Sequence, residues 1–159
     1  CRTSSLSFDE VTEEIIDEFK PTVEHKNGRI ELDNQAGNTA ILADRYHFSG
    51  TLINLIDNSL KYTEQSPLIR ISIKPAGSRI FLKLEDSGAG IDKKYLRKVF
   101  MPFFRVPSGN IHNVKGTGLG LSYVKRICDL HKWKIAIVSE PGKGTSITMI
   151  IPKAEKNGE

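Results

Sequence analysis

The sequence predicts one mixed α/β domain of two layers, in which about three helices pack on a sheet of about five strands. Two observations predict this fold class. Apolar residues recur at helical spacing in three segments and alternate with period two in several others, and Gly- or Pro-containing turns separate the segments. The 159 residues also match one ordinary domain, so residues 1–159 are expected to form a single domain with its core at about residues 8–152.

The N-terminal half contains two predicted helices and two predicted strands. The first helix covers residues 8–19, and Pro21 is expected to limit it. Alternation predicts a half-buried strand at 29–33, followed by a turn and a short strand around Ile41. A longer helix is predicted over 44–62, with its first residue, an aspartate, as the N-cap. The apolar faces of these helices are formed by Val11, Ile15, Ile16 and Phe19 and by Phe48, Leu52, Leu55, Ile56 and Leu60.

The C-terminal half alternates between strands, turns and helices. Its predicted elements are strands 69–74, 80–84, 135–138 and 146–151 and helices 93–100 and 121–130. The first two strands are expected to form a hairpin closed by residues 75–79. Residues 102–120 are rich in Gly, Pro, Asn and Ser and are predicted to form a long loop. Long loops in compact domains are often functional.

Composition and charge exclude several classes of protein. The net charge is +4, and the basic residues are scattered among 19 acidic ones, so nucleic acid is not an expected partner. No stretch approaches the roughly 18 consecutive apolar residues that span a bilayer, so we expect no membrane contact from this chain. The two cysteines are too few for a disulfide framework, which favours a reducing, cytoplasmic compartment.

Glycine is concentrated in the second half of the chain. Eight of the 13 glycines lie between residues 88 and 144, and five of them form two clusters. Gly88 and Gly90 form the first, and Gly116, Gly118 and Gly120 form the second, which opens a predicted helix. Glycines before a helix let backbone N–H groups approach an anion, so this pattern indicates a phosphate site. The spacing matches neither a Rossmann fingerprint nor a P-loop. The alternative is that these glycines only make turns.

A stripe of polar side chains marks the long predicted helix. Asn54, Asn58 and Lys61 recur at i, i+4 and i+7 and therefore share one face, with Tyr62 close by. Amide oxygens and an ammonium group suit Mg²⁺ and the phosphates around it, whereas the alternative is a solvated helix face. Asp86 follows a predicted strand beside glycines, where a carboxylate can accept a hydrogen bond from an amino group or can simply form a turn.

Four motifs, taken in order, resemble the boxes of the catalytic ATP-binding domain of sensor histidine kinases, in the superfamily of gyrase, the Hsp90 chaperone and MutL. The motifs occupy residues 54–63 (Asn-Leu-Ile-Asp-Asn-Ser-Leu-Lys-Tyr-Thr), 86–91 (Asp-Ser-Gly-Ala-Gly-Ile), 100–106 (Phe-Met-Pro-Phe-Phe-Arg-Val) and 116–121 (Gly-Thr-Gly-Leu-Gly-Leu). The resemblance extends from about Phe8 to Pro152. It implies a two-layer α/β sandwich of the Bergerat type, with a flexible ATP lid over about residues 102–118.

The resemblance implies residues that hold the metal and the phosphates of ATP. Asn58 would bind Mg²⁺, and Asn54 would assist at the metal or the phosphates. Lys61 would contact phosphate, and Arg105 would reach the γ-phosphate when the lid closes. The other residues of the glycine-rich motifs that would contact nucleotide are Gly88, Gly90, Ile91, Gly116, Thr117, Gly118, Leu119, Gly120 and Leu121.

The resemblance also implies residues that recognise the base. Tyr62 would pack against adenine. Asp86 would accept a hydrogen bond from the adenine amino group, directly and through water, and Thr145 would support that contact. Phe100 and Phe103 would anchor the lid, although burial in the core alone would also explain them.

Asn54, four positions before Asn58, distinguishes phosphoryl transfer from ATP hydrolysis as the implied reaction. Gyrase-like hydrolases carry a glutamate there that activates water, whereas this chain carries Asn54, and an amide is no general base. Asp57 lies about 100° round the helix from Asn58 and is not expected to replace that glutamate. The resemblance therefore implies transfer of the γ-phosphoryl group of Mg-ATP to a protein, and not ATP hydrolysis.

The phosphoacceptor histidine is expected on another domain. None of the four histidines (His25, His47, His112 and His131) has the Glu or Asp and the Pro that follow the acceptor in this family. The implied partners are a histidine-bearing dimerisation domain of the same parent kinase, which can be anchored in the inner membrane, and a response-regulator receiver domain. The isolated domain is expected to be monomeric. The alternatives are a nucleotide-binding pseudokinase scaffold, an anti-sigma-type serine kinase and a gyrase-like ATPase.

Overall fold

The computed structural model describes residues 2–107 and 119–155. Over these residues, three α-helices pack on one face of a five-stranded mixed sheet. The helices are α1 (Phe8–His25), α2 (Arg45–Lys61) and α3 (Gly120–His131). This confirms the predicted two-layer α/β fold. No helix in the described ranges is long and apolar enough to cross a membrane.

Five strands form the main sheet, and two short strands form a second one. The strands are β1 (Ser4–Ser7), β2 (Arg29–Asn34), β3 (Ala40–Ala43), β4 (Leu68–Ala76), β5 (Arg79–Asp86), β6 (Lys134–Ser139) and β7 (Thr145–Pro152). The main sheet has the order β2-β4-β5-β7-β6, and β2 is the strand that runs parallel to its neighbour. In the second sheet, β1 pairs antiparallel with β3. This order places the ends of β5 and β7 at the centre of the main sheet.

The core lies between the helices and one face of the main sheet. Alternate residues of the central strands are buried there, among them Ile71, Leu82 and Met149. The opposite face carries ion pairs such as Arg70–Glu31 (3.4 Å) and Lys83–Glu85 (2.9 Å), both partly exposed. Because side chains alternate between the faces of a strand, one apolar and one charged face produce two layers, and no second layer of helices is needed.

The first helix is longer than predicted. The structure extends α1 to His25, so the prediction that Pro21 limits the helix is wrong. Proline inside a helix costs about 3 kcal/mol, because it removes one hydrogen bond and crowds the preceding turn. Val23 continues the apolar face of Ile16 and Phe19 and is fully buried, and burial of such a side chain contributes roughly 1.5–3 kcal/mol. The added burial offsets the cost of the proline.

Other differences from the predictions concern element ends and one missed strand. The hairpin of β4 and β5 is closed by residues 77 and 78 alone. Both strands continue beyond the residues that alternate between apolar and polar. The predicted helix at 93–100 is only a short 3₁₀ turn, Lys93–Tyr95. Strand β1 was missed, since four residues containing three serines show no apolar alternation. Its pairing with β3 is a tertiary contact that local sequence does not encode.

The start of α2 agrees with its predicted cap. Oδ1 of Asp44 accepts hydrogen bonds from the backbone N–H groups of Tyr46 (2.9 Å) and His47 (3.2 Å). These bonds, with that of His47 the largest contribution, lower the pKa of Asp44. The cap fixes where α2 begins and therefore which of its residues face the sheet.

Asp44→Ala is expected to lower the melting temperature by about 2–4 °C, as loss of an N-cap does in a domain of this size. Because the folded pKa lies below the ordinary value of 3.8, the stabilisation is complete above that value and is lost as the pH falls through the lowered pKa. Asp44→Asn keeps an acceptor without a titrating group. The melting temperature should therefore fall less in Asp44→Asn than in wild type when the pH is lowered from neutral to below about pH 3. Thermal melts at the two pH values measure this difference, and equal falls in the two proteins would contradict this account.

Candidate functional site

A cavity of about 680 Å³ opens between α2, the segment after β5 and the start of α3. Most of the site residues predicted from the sequence line it: Asn54, Asn58, Lys61, Tyr62, Asp86, Gly90, Ile91, Arg105, Leu119, Gly120, Leu121 and Thr145. Gly88 is buried beside the cavity. The predicted residues Gly116, Thr117 and Gly118 lie outside the described residues, as does most of the predicted lid. Residues that are distant in the sequence therefore share one site.

The polar stripe of α2 forms one wall of the cavity. Asn54 donates from Nδ2 to the carbonyl of Gly50 (2.7 Å), so its Oδ1 is the atom left to accept. The ammonium group of Lys61 lies 2.9 Å from Oδ2 of Asp57, and both side chains are about half exposed. Asp57 itself lines the cavity, which sequence reasoning did not predict. The i, i+4 spacing of Asp57 and Lys61 was the signal that could have indicated their pairing.

Asp86 is held in place by three donors at the end of β5. Its Oδ1 accepts from the backbone N–H groups of Gly88 (2.9 Å) and Thr145 (3.2 Å). Its Oδ2 accepts from the hydroxyl of Ser59 (2.9 Å), which lies on α2. An ionised carboxylate is an acceptor alone, so this wall of the cavity suits a ligand that carries a hydrogen-bond donor.

Glycines let the loop after β5 pack on the turn between β6 and β7. Gly90 has φ +76°, and a Cβ there would lie 1.9 Å from the carbonyl oxygen of Glu140. Gly144 has φ +77°, and a Cβ there would lie 1.9 Å from the carbonyl oxygen of Asp86. A hydrogen bond from the N–H of Gly142 to the carbonyl of Ala89 (2.7 Å) joins the two loops. At these positions, glycine is required by protein packing.

Gly90→Ala is expected to destabilise the fold by about 3 kcal/mol, because both the positive φ and the contact with Glu140 oppose a side chain. Gly77→Ala is the matched control. Gly77 has φ +61° but nothing within 4 Å of a Cβ, so only the backbone strain of about 1 kcal/mol applies. Urea unfolding of both variants checks the difference, and equal losses would show that the contact with Glu140 relaxes freely.

Ser139 supports the same wall and was missed in the sequence. Its hydroxyl accepts from the N–H of Ile91 (2.8 Å), donates to the carbonyl of Gly144 (2.8 Å) and lies 2.9 Å from Oγ1 of Thr145. A serine at the end of an apolar strand carries no sequence signal for this role. The contacts tie the cavity residues Ile91 and Thr145 to each other through β6.

The start of α3 also lines the cavity. The N-cap residue Leu119 has no side-chain acceptor for the first N–H groups of the helix, which remain suited to an anion. Gly120 lies against α2, since a Cβ there would be 3.3 Å from Oδ1 of Asn54. Tyr123 also lines the cavity, and its hydroxyl packs over Gly50. Burial raises the pKa of Tyr123 above its ordinary value of 10.0.

The segment after the 3₁₀ turn corrects one prediction. Phe103 is 72% exposed, so the expectation that it anchors this segment is wrong. Phe104 does so instead: it packs against the core, contacts the ring of Tyr95 (6.0 Å between centroids) and lines the cavity. Phe100 packs against the core as predicted. Phe103 also has a positive φ of +64°, which L residues other than glycine seldom adopt.

A metal ion at this site would depend on few protein ligands. No group of three or more His, Cys, Asp or Glu side chains that could hold a metal occurs within residues 2–107 and 119–155. The cavity offers instead the oxygens of Asn54, Asp57 and Asn58. Mg²⁺ is commonly bound through one or two side-chain oxygens, with phosphates and waters completing its octahedron. The donor set therefore fits Mg²⁺ that arrives with a nucleotide.

Comparison with known proteins identifies the family. Residues 43–155 match the family described as histidine kinase-, DNA gyrase B- and HSP90-like ATPase. The chain therefore belongs to this ATPase family, and the resemblance seen in its motifs is confirmed.

Particular relatives are a sensor protein and a sensor histidine kinase. Sensor protein RprX of Bacteroides fragilis is 37% identical over 153 residues, which cover 95% of this chain and 30% of that protein. Sensor histidine kinase YkoH of Bacillus subtilis is 34% identical over 129 residues, which cover 81% of this chain and 28% of that protein. The chain thus spans less than a third of the length of these relatives.

A solved catalytic domain has the same fold. The catalytic domain of histidine kinase ThkA superimposes with a TM-score of 0.84 at 26% identity, covering 96% of this chain and 99% of that domain. ThkA has also been solved in complex with the response regulator protein TrrA. That structure aligns with a TM-score of 0.78 at 23% identity, covering 96% of this chain and 42% of that one.

Proposed function

We propose that this chain is the catalytic domain of a two-component sensor histidine kinase. It binds Mg-ATP and transfers the γ-phosphoryl group to a histidine on a separate dimerisation domain, and the phosphate passes on to an aspartate of a response regulator. The observation that carries this proposal is the placement of Asp86 and of the Asn54–Lys61 stripe on one cavity. Sensor-kinase relatives and the response-regulator complex of ThkA support the two-component role.

The residues of the cavity divide into a base end and a phosphate end. Asp86 accepts from the amino group of adenine, with Thr145 beside it, and Tyr62 packs against the base. Asn58 holds Mg²⁺ with help from Asn54, while Lys61 leaves Asp57 to contact phosphate. Mg²⁺ neutralises charge on the phosphates when it is bound. Phosphoryl transfer requires positioning and electrostatic stabilisation above all, and these groups supply both.

Arg105 and the start of α3 contribute the remaining contacts. Arg105 reaches the γ-phosphate of the bound nucleotide. The backbone N–H groups of Gly120 and Leu121 face the phosphates. Gly88, Gly90 and Ile91 shape the loop that supports Asp86. The uncapped first turn of α3 and the position of Arg105 on the cavity wall support these roles.

Transfer to a histidine is favoured over hydrolysis by the geometry of Asn54. Its Nδ2 is bound to the carbonyl of Gly50, and an amide cannot remove a proton from water. Asp57 is the carboxylate nearest in sequence, but it lies about 100° round the helix from Asn58. The position of the glutamate that a gyrase-like hydrolase uses as general base is held by Asn54.

Calorimetric titration of ATP and ADP into this chain, with and without Mg²⁺, tests the first half of the proposal. Magnesium-sensitive ATP binding in the micromolar range is expected. Transfer is tested by adding the histidine-bearing domain of the parent kinase. An acid-labile phosphoryl group on that domain supports a histidine kinase, an acid-stable one indicates a serine kinase, and binding without transfer indicates a pseudokinase scaffold.

A further inference from the structure

Ser59 joins helix α2 to the carboxylate of Asp86 at the end of β5. It follows Asn58 on α2, is only 2% exposed, and donates from Oγ to Oδ2 of Asp86 at 2.9 Å. Its own backbone carbonyl accepts from the hydroxyl of Thr63 (2.8 Å), which holds the end of α2 in place. Ser59 faces the sheet, whereas its neighbour Asn58 lines the cavity.

The acceptor positions of Asp86 are nearly all occupied within the protein. A carboxylate offers about four acceptor positions, two on each oxygen. The N–H groups of Gly88 and Thr145 take both positions on Oδ1. Ser59 takes one position on Oδ2, so a single acceptor position remains for a ligand in the cavity.

We propose that Ser59 is a positioning residue that sets the selectivity of the cavity for a purine with an amino group at C6. By holding Oδ2, its hydroxyl fixes the plane of the Asp86 carboxylate and leaves one acceptor position for that amino group. A purine with a carbonyl at C6 places an acceptor against an acceptor and is rejected. This inference rests on the proposed function, in which Asp86 meets the base of ATP.

A merely structural role for Ser59 makes a different prediction. A buried hydroxyl that only stabilises the fold would affect all ligands of the cavity equally. Loss of a hydroxyl that orients Asp86 lowers the affinity only of ligands that donate a hydrogen bond to Asp86. ATP uses this carboxylate through its amino group, whereas purine riboside triphosphate lacks the amino group and is otherwise the same ligand.

The test compares these two nucleotides, in the presence of Mg²⁺, on wild type and on Ser59→Ala. We expect ATP affinity to fall about tenfold in the variant, which is the loss of one hydrogen bond to a charged group, and purine riboside triphosphate affinity to change by less than about twofold. The preference for ATP over the deamino nucleotide therefore shrinks by at least about fivefold.

Thr51→Val is the matched control for this experiment. Thr51 is fully buried on the same helix, eight positions before Ser59, and its hydroxyl donates to the carbonyl of His47 (2.9 Å). Neither nucleotide should lose affinity in this variant. Melting curves verify that both variants are folded. If Ser59→Ala does not fold, Ser59→Cys provides the same comparison, because a thiol is a weak donor.

The outcomes separate this inference from the proposed function. An unchanged ratio of the two affinities in the Ser59 variant overturns the positioning role, whether both affinities fall equally or neither falls. If wild type binds ATP but the ratio does not move, the proposed function stands and only this inference fails. If wild type binds neither nucleotide, both are overturned.

Discussion

Asp86→Asn is expected to weaken ATP and ADP binding alike, by about 100-fold each. The N–H groups of Gly88 and Thr145 require an oxygen at the Oδ1 position, so the amide nitrogen must replace Oδ2. A donor then faces the amino group of adenine, which is also a donor. Because the base is common to both nucleotides, calorimetric titration should show the same loss for each.

Glu85→Gln is the control for this variant. Glu85 precedes Asp86 on β5 but points to the opposite face of the sheet, where it pairs with Lys83 (2.9 Å). The substitution removes a carboxylate from the same strand and should leave both affinities unchanged. A loss confined to ATP in Asp86→Asn would contradict the assignment and point instead to a contact with the γ-phosphate.

Asn58→Ala is expected to abolish the gain in ATP affinity that Mg²⁺ provides. In the presence of Mg²⁺, the variant should bind ATP about 100-fold more weakly than wild type does. Asn58 lines the cavity one helical turn from Asn54. Few protein oxygens are available there, so loss of one cannot be replaced easily. In excess EDTA, wild type and variant should bind ATP equally.

Asn38→Ala controls for the loss of an amide elsewhere in the chain. Asn38 is exposed in the turn between β2 and β3 and does not line the cavity, so its replacement should change neither titration. Equal magnesium dependence of wild type and Asn58→Ala would remove Asn58 from the metal site. The oxygens of Asn54 and Asp57 would then be the remaining protein ligands on this wall.

Motifs within one element were predictable because their geometry is local. Asn54, Asn58 and Lys61 share a helical face whatever the rest of the chain does, since the period of the helix sets their spacing. The N-cap role of Asp44 is local for the same reason, and the structure agrees with it. The polar stripe of α2 therefore followed from the sequence before any fold was known.

Contacts between elements were not predictable in this way. The bond from Ser59 to Asp86 joins residues 27 positions apart, and that from Ile91 to Ser139 joins residues 48 positions apart. A serine in an apolar segment has many available partners, and only the packed sheet and helices select one. Phe103 and Phe104 show the same limit, because two adjacent aromatic residues look alike in the sequence and only the folded chain buries one of them.

The two-layer fold class, the faces of the helices and the motifs that indicate the family could be predicted from the sequence, because each depends on periodicity or on residues close in the chain. The continuation of α1 past Pro21, the inward packing of Phe104 instead of Phe103, and the places of Ser59, Ser139 and Asp57 at the site became evident in the folded chain. These outcomes depend on burial and on hydrogen bonds across the core, whose free energies arise only when distant segments meet.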